Sequence, residues 1–164
     1  MKKIIYLIIV FVFSIYIYAC AGYEPIFSSS NLQFKIINHS IEGDKKLGNQ
    51  IYSKLYNLSK SNENNSNAKN INIIINLSKN KKATVKDSTG NIVEYAINLK
   101  INILINDSIS DDVILNYSTT ETSSYKVQDQ HAETLKLENK TLENLANKTF
   151  QDLLIAMSEK TILK

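Results

Sequence analysis

Apolar and polar residues alternate along the middle of the chain with a period of two, which is typical of strands that bury one face. The alternation extends over residues 71–78, 93–106 and 113–127, and the second segment contains seven consecutive matches. The third segment starts apolar at Val113 and becomes polar on the same face further along. Residues 32–38 repeat the pattern over a shorter length. We therefore predict four strands with one buried and one solvated face.

Two further segments repeat their apolar residues with the period of a helix. In residues 44–58, Asp44 is placed to cap the N terminus. One apolar stripe follows it, formed by Leu47, Ile51, Leu55 and Leu58. The second helix is predicted from about residue 129 to residue 160. Its wider stripe, which is broad enough to cover a sheet, is formed by Leu135, Leu142, Leu145, Ala146, Phe150, Leu153, Ala156 and Met157.

Polar segments separate these elements. We expect loops at residues 59–70 and 79–91, the latter with Gly90 as a turn signal, and a tight turn at residues 107–112. Because one sheet face is predicted to be wet, both helices must cover the other face. The sequence therefore predicts an α+β fold, a two-layer sandwich. Its four-stranded, mostly antiparallel or mixed sheet has two helices packed on one face, in a single domain over residues 32–164.

The first twenty residues have the organisation of an export signal. Lys2 and Lys3 form a positive start, and residues 4–19 are apolar except for Ser14. As a helix this run would be about 24 Å long, which is shorter than the roughly 30 Å hydrocarbon core of a bilayer. We favour a cleaved signal peptide over residues 1–19, and an uncleaved membrane anchor is the alternative.

The apolar run ends at the only cysteine of the chain. The tetrapeptide Ile-Tyr-Ala-Cys that ends at Cys20 resembles the lipobox of bacterial lipoproteins, in which the cysteine is acylated and becomes the new N terminus. The alternative is a lone buried cysteine, which would be an unpaired thiol in an oxidising compartment. The resemblance implies lipidation at Cys20, a lipidated tether over residues 20–31 and membrane attachment through the acyl chains. It also implies the outer membrane as destination, since the second mature residue is alanine rather than aspartate.

Composition excludes several classes of protein. The 164 residues are 43% hydrophobic, which is enough for one domain with a core. With Gly 4, Pro 1 and Cys 1, a disulfide scaffold, a cysteine-rich metal site and a low-complexity linker are excluded. The net charge of +3 comes from lysine alone, whereas bidentate contacts to phosphate and guanine are arginine chemistry. We therefore expect no nucleic-acid partner. Once Lys2 and Lys3 leave with the leader, 17 lysines oppose 16 acidic residues.

No catalytic or metal-binding arrangement can be assembled from the sequence. The two histidines, His39 and His131, have no cysteine or second histidine at ligand spacing. His131 lies beside Asp129 at the predicted start of a helix, where we favour an electrostatic role over a catalytic dyad. Three aspartates crowd residues 107–112, and we favour a solvated turn over a weak cation site there. The sequence therefore predicts a protein that is not an enzyme and that has no metal or cofactor.

Two polar features remain. A group of lysines follows the first long strand, and its positive potential suits anionic lipid headgroups or phosphorylated glycolipid; a merely solvated loop is the alternative. Its members are Lys79, Lys81, Lys82 and Lys86. The outer sheet face is rich in asparagine and suits a polar protein interface, although asparagine is frequent throughout the chain. The residues concerned are Asn72, Asn76, Asn98, Asn102 and Asn106.

A short motif follows the cysteine: residues 22–27 read Gly-Tyr-Glu-Pro-Ile-Phe. This motif and the order of elements resemble the alphaproteobacterial form of the LPS-assembly lipoprotein LptE. The resemblance implies an outer-membrane lipoprotein that faces the periplasm and the lumen of the β-barrel translocon LptD. There it assists barrel assembly, plugs the barrel and supports lipopolysaccharide insertion into the outer leaflet. The family's lipopolysaccharide contacts involve basic residues, which we carry over only to the four lysines named above. Alternatives are a periplasm-facing lipid-transport auxiliary lipoprotein and an envelope-enzyme activator.

Overall fold

A computed structural model describes residues 33–60 and 66–160 and contains the predicted elements in the predicted order. In chain order, the bounds are Phe34–Gly43 for strand β1, Lys45–Lys60 for helix α1, Lys69–Lys86 for strand β2, Ile92–Asp107 for strand β3, Val113–Lys126 for strand β4 and His131–Glu159 for helix α2. The α+β prediction is confirmed. Within the described ranges, neither helix is long and apolar enough to cross a membrane.

The four strands form one mixed sheet in the order β1-β2-β3-β4. Strand β1 runs parallel to β2, whereas β2 with β3 and β3 with β4 are antiparallel. Parallel neighbours need a crossover connection, and helix α1 supplies it. The remaining strands follow one another through turns. The prediction of a mostly antiparallel or mixed sheet is therefore confirmed.

The core lies on one face of this sheet. The branched side chains that β2 and β3 direct to this face are at most 2% exposed; they are Ile71, Ile73, Ile75, Leu77, Ile97, Leu99, Ile101, Ile103 and Ile105. Their neighbours on the other face, such as Asn76 and Asn102, are exposed. Both helices therefore cover the same face, and we call the opposite surface of the sheet the open face.

Each helix covers one half of the sheet. Helix α1 buries Leu47, Ile51 and Leu55 against β1 and β2, as its stripe predicted. Helix α2 packs mainly against β4. Its predicted stripe is wrong at Leu135, which is 44% exposed, while three threonines that the stripe omitted are buried, namely Thr134, Thr141 and Thr149. The covered face of β4 is itself polar in the middle of the strand. The residues of α2 that pack against it therefore include polar ones, which an apolar stripe does not identify.

The predicted loop at residues 79–91 is wrong, because β2 continues as far as Lys86. Its backbone stays paired with β3 up to Ile92, so the two strands form a long hairpin. The turn itself is confined to residues 87–91, where Asp87 Oδ1 accepts bonds of 2.9 Å from the amides of Thr89 and Asn91. The extension has polar side chains on both faces, and alternation reveals a strand only where one face is buried.

Strand β1 is also longer than predicted and ends at Gly43 rather than at residue 38. A β-bulge between Ile36 and Asn38 interrupts the period of two, which explains why the pattern stopped there. The predicted loop at residues 59–70 is shorter at both ends. Ser59 belongs to α1, is 3% exposed, and its Oγ accepts a 3.1 Å bond from the amide of Ile36. The helix end is thereby fastened to β1.

The junction between β1 and α1 is fixed by contacts with β2. Gly43 has φ +81°, and a Cβ at this position would lie 2.0 Å from the carbonyl oxygen of Leu77. The amide of Asp44 donates to that same oxygen at 2.9 Å. Asp44 also caps the helix as predicted, because its Oδ1 accepts from the amide of Leu47 at 3.1 Å. The close approach of two backbones therefore requires glycine at position 43.

This junction can be tested by replacing two glycines that share a positive φ. Gly90 has φ +90° with nothing within 4 Å of a built Cβ, so Gly90→Ala should lower the free energy of unfolding by about 1–2 kcal/mol, through backbone strain alone. Gly43→Ala adds a clash with backbone atoms and should cost a further 1–3 kcal/mol or more. Urea unfolding followed by circular dichroism measures both. Equal losses in the two variants would contradict the close approach at Gly43.

Candidate functional site

The four lysines singled out from the sequence lie on strand β2, not on a loop. Successive side chains of a strand point to opposite faces, so the group is divided. Lys79 and Lys81 lie on the face that the helices cover, and Lys82, opposite Ala96, lies on the open face. Lys86 ends the strand opposite Ile92. The prediction of one basic loop is therefore wrong, and each lysine has its own environment.

Lys79 belongs to the β1–α1 junction. Its Nζ lies 2.7 Å from Asp44 Oδ2, and the lysine side chain is 47% exposed while that of Asp44 is 17% exposed. The hydrogen bond from Lys79, which outweighs the opposing effect of burial, holds the pKa of Asp44 below its usual value. The ammonium group of Lys79 is therefore occupied by a structural ion pair, and it is a poor candidate for ligand binding.

Lys81 forms the centre of a small polar and aromatic cluster between the hairpin and helix α2. Its Nζ lies 2.8 Å from Glu138 Oε2 and 4.6 Å from the ring centre of Tyr95. Tyr125 donates its hydroxyl to the same carboxylate oxygen at 2.8 Å. The bond to Glu138 raises the pKa of Lys81. Burial raises the pKa of Tyr125 as well, with Glu138 adding to it. The cluster joins α2 to β2 and β4.

The side chains of Lys82 and Lys86 make no ion pair or hydrogen bond within the part of the chain that the structure describes. Both residues lie on the portion of β2 that was predicted as loop. The same end of the hairpin carries two exposed apolar side chains, Val85 at 45% and Val93 at 36%, which line one open pocket with Lys126. This end of the hairpin therefore carries both unpaired ammonium groups, which attract anionic lipid headgroups, and some exposed apolar surface. We call residues 82–93 the hairpin end.

The histidines do not form a site with each other. His39 follows the end of the predicted strand at residue 38, but it lies within β1, where its ring stacks on Tyr52 of α1 with ring centres 3.8 Å apart. His131 starts α2 and lines an open cleft of about 320 Å³ together with Lys81 and Glu138. Within residues 33–60 and 66–160, no group of three or more histidine, cysteine, aspartate or glutamate residues could hold a metal ion.

The aspartates at residues 107–112 have roles within the turn. Asp107 Oδ1 accepts from the amides of Ile109 at 2.9 Å and Ser110 at 3.2 Å, and these backbone bonds lower the pKa of Asp107. Lys69 lies 3.7 Å from its other oxygen. Asp111 adopts the left-handed conformation with φ 60°. These contacts account for acidic residues in this turn without a cation.

The open face of the sheet carries ordered rows of amide and hydroxyl groups. Asn76 lies opposite Asn102, which lies opposite Ser118 on β4. A second row is formed by Asn80, Asn98 and Thr122, and Thr122 Oγ1 donates to Asn98 Oδ1 at 2.7 Å. Ile74, which is 39% exposed, breaks this polar surface near the middle of β2. The predicted asparagine-rich face is therefore present and extends over all four strands, with Asn38 donating to Asn72 at the β1 side.

Sequence reasoning missed the cluster around Glu138. Nothing in the local pattern of α2 distinguishes Glu138 from the other acidic residues of that helix. Tyr125 continues the alternation of β4, but three polar residues interrupt that face before it: Thr119, Glu121 and Ser123. Cys20, the signal peptide at residues 1–19 and the tether at residues 20–31 lie outside the described residues.

No protein-family model matches the chain, and no curated protein matches it in sequence. Solved structures with a similar fold include two bacterial lipoproteins. The crystal structure of rare lipoprotein B from Shewanella oneidensis superposes with a TM-score of 0.53 at 14% identity, over 76% of this chain and 96% of that one. The NMR structure of an uncharacterized lipoprotein B from Nitrosomonas europaea gives a TM-score of 0.55 at 13% identity, over 84% of this chain and 92% of that one. The chain therefore has a fold that occurs in bacterial lipoproteins.

Proposed function

We propose that this chain is an outer-membrane lipoprotein of the LptE type that assists assembly of, and plugs, the LptD β-barrel translocon. In this role it supports insertion of lipopolysaccharide into the outer leaflet. The observation that carries the proposal is the open face, an exposed and mostly polar surface on a domain whose fold occurs in lipoproteins. The lumen of a large barrel is polar, so a protein enclosed there needs polar surfaces on the outside. The lipobox resemblance at Cys20 supplies the membrane attachment.

The open face suits a protein partner better than a lipid. Most of its exposed groups are amides and hydroxyls, which both donate and accept hydrogen bonds, beside a few charged side chains such as Lys82 and Lys100 and the apolar Ile74. An apolar acyl chain would leave these groups without partners, which costs free energy for each one that is buried. A second polar surface would satisfy them, directly or through bridging water. We therefore assign the barrel wall to the open face.

The hairpin end suits the polar part of a lipopolysaccharide. Lys79 and Lys81 are engaged with Asp44 and Glu138, so the proposed contact is restricted to Lys82 and Lys86. Lysine binds phosphate as a point charge, without the bidentate geometry of arginine, and we expect such binding to depend strongly on salt. The carrier alternative needs an enclosed apolar cavity, whereas the core between sheet and helices is filled by the branched side chains described above.

Removal of the acylated cysteine should detach the protein from the membrane. In the wild type we expect a mature chain that begins at Cys20 and carries the mass of its acyl chains, resists a high-salt wash and dissolves in detergent. Cys20→Ala should lose that mass, and the processed chain should appear in the soluble fraction. The neighbouring substitution Ala21→Ser serves as the control and should remain bound. Intact mass spectrometry and membrane fractionation provide the measurements. A wild-type cysteine without acyl mass would overturn the lipoprotein assignment.

A substitution on the open face should weaken capture of the barrel. Affinity purification of the tagged, lipidated protein from outer membranes should recover a large β-barrel protein. Asn102→Arg places an extra charge at the centre of the open face and should reduce that recovery roughly tenfold or more, because the charge loses water in the interface. Quantitative mass spectrometry of the eluate measures the ratio of barrel to bait.

Asn144→Arg is the matched control for this experiment. Asn144 is also an exposed asparagine, but it lies on α2, away from the open face. The Asn144→Arg variant should recover as much of the barrel protein as the wild type does. Absence of any barrel partner from the wild-type eluate would refute the proposed function, and equal losses in both variants would refute the assignment of the open face.

Neutralising the two free lysines should weaken binding of lipopolysaccharide. A lysine near an anionic lipid surface contributes about 1 kcal/mol, so Lys82→Gln with Lys86→Gln should reduce the affinity for lipopolysaccharide micelles roughly thirtyfold at low salt. The control pair is Lys136→Gln with Lys140→Gln, two exposed lysines of α2. Titration with purified lipopolysaccharide measures both pairs. A similar loss in the two pairs would show that net charge, rather than the hairpin end, determines binding.

A further inference from the structure

Strand β4 forms an edge of the sheet and pairs only with β3 among the described residues. Its other edge therefore presents backbone amides and carbonyls that another strand can pair with. Residues on the open face of β4 are exposed along its whole length; they are Asn116, Ser118, Thr120, Thr122 and Ser124. Serine and threonine are compatible with strand pairing, and no proline occurs in β4.

The other edge strand, β1, is protected against such pairing. A β-bulge at Ile37 interrupts its regular backbone, and bulges are one of the devices that prevent edge pairing. Lys35 and Glu42 add charges near its two ends. In β4 the register shift lies at the start, next to Val113, so the following residues up to Lys126 form an uninterrupted edge. The two edges therefore differ, and β4 is the one available to a second strand.

The side chains of β4 fit a second copy of themselves in one antiparallel register. With Thr120 opposite Thr120 of the second copy, each Leu115 lies opposite a Tyr125, and both residues are only 6% exposed on the covered face. Each Glu121 then lies opposite a Thr119, which carries a hydroxyl. Moving the centre by one residue to position 121 would oppose two glutamates, which is destabilising. The register centred on Thr120 thus pairs Leu115 with Tyr125 and places no charged residue opposite another.

The helix layers of the two copies would meet at this junction. Helix α2 packs mainly against β4, so extending the sheet through β4 to eight strands brings the two α2 helices next to each other. Packed helices lie about 8–10 Å apart, so the two copies of α2 must pack directly against each other in the dimer. Glu121 already pairs with Lys148 of its own α2, so it brings no unpaired charge to the junction.

We infer that two copies of this chain associate through antiparallel pairing of their β4 strands, with Thr120 on the twofold axis, to form a continuous eight-stranded sheet. The inference does not rest on the proposed function. A barrel lumen that encloses one copy would separate the pair, so the dimer is the state of the protein outside that assembly. The open faces of the two copies would lie on the same side of the joined sheet.

Cysteine bridging tests the register. The purified full chain with Thr120→Cys should give a covalent dimer with a short thiol-bridging reagent in detergent. Thr122→Cys lies on the same strand and face, but the two introduced thiols would be four residues apart along the strands, about 13 Å. It should give at least fivefold less dimer. The unmodified chain, which contains only Cys20, measures the background.

Two lysine substitutions test whether the dimer forms through the edge of β4, whatever the register. Thr120→Lys adds a charge at the axis and should convert the dimer to monomer in sedimentation velocity of the detergent-solubilised chain. Ser40→Lys is the matched substitution on exposed β1 and should leave the dimer intact. A wild type that sediments as a monomer at all concentrations would overturn the inference. So would a dimer that survives Thr120→Lys, or equal bridging at positions 120 and 122.

Discussion

Burial of one face of the β2–β3 pair is the interaction on which the rest of the structure depends. Nine branched side chains of these two strands form a continuous apolar surface, and burial of each contributes roughly 1.5–3 kcal/mol. This surface requires a cover, and both helices supply it from the same side. The opposite face is left without a helix and can be polar throughout. The separation of a buried face from an open face therefore follows from the sequence of two strands.

The sheet and its helices could be predicted because their periods are long and regular. The prediction of elements failed where the burial of one face no longer produced a regular pattern of apolar side chains. From Lys79 to Lys86, β2 extends with polar side chains on both faces, and only backbone pairing with β3 reveals the strand. In β1 the bulge at Ile37 shifts the alternation by one residue, so the pattern predicted a strand end at residue 38. On α2, the buried threonines face a partly polar strand. A search for apolar residues alone cannot identify these threonines as buried.

The candidate site was predictable in composition but not in arrangement. The lysines of β2 and the asparagines of the open face are visible in the sequence. Asp44, which caps α1, and Glu138 of α2 determine which lysines have partners, and both lie far from the lysines along the chain. Such pairings are set by tertiary structure, and no local pattern encodes them. The lipobox resemblance at Cys20, in contrast, is carried by consecutive residues, so it can be identified without a tertiary structure.

The parallel pairing of β1 with β2 has a consequence for the order of folding. Phe34 pairs with Lys69, about 35 residues later, whereas β2, β3 and β4 are joined by short turns. Pairing across a long segment is slow because the entropy of closing it is lost before the contact forms. The three-stranded meander is thus expected to form first, with β1 added last. A chain made from its N terminus therefore produces β1 first and pairs it last, so the edge of β2 stays open until α1 has folded across the sheet.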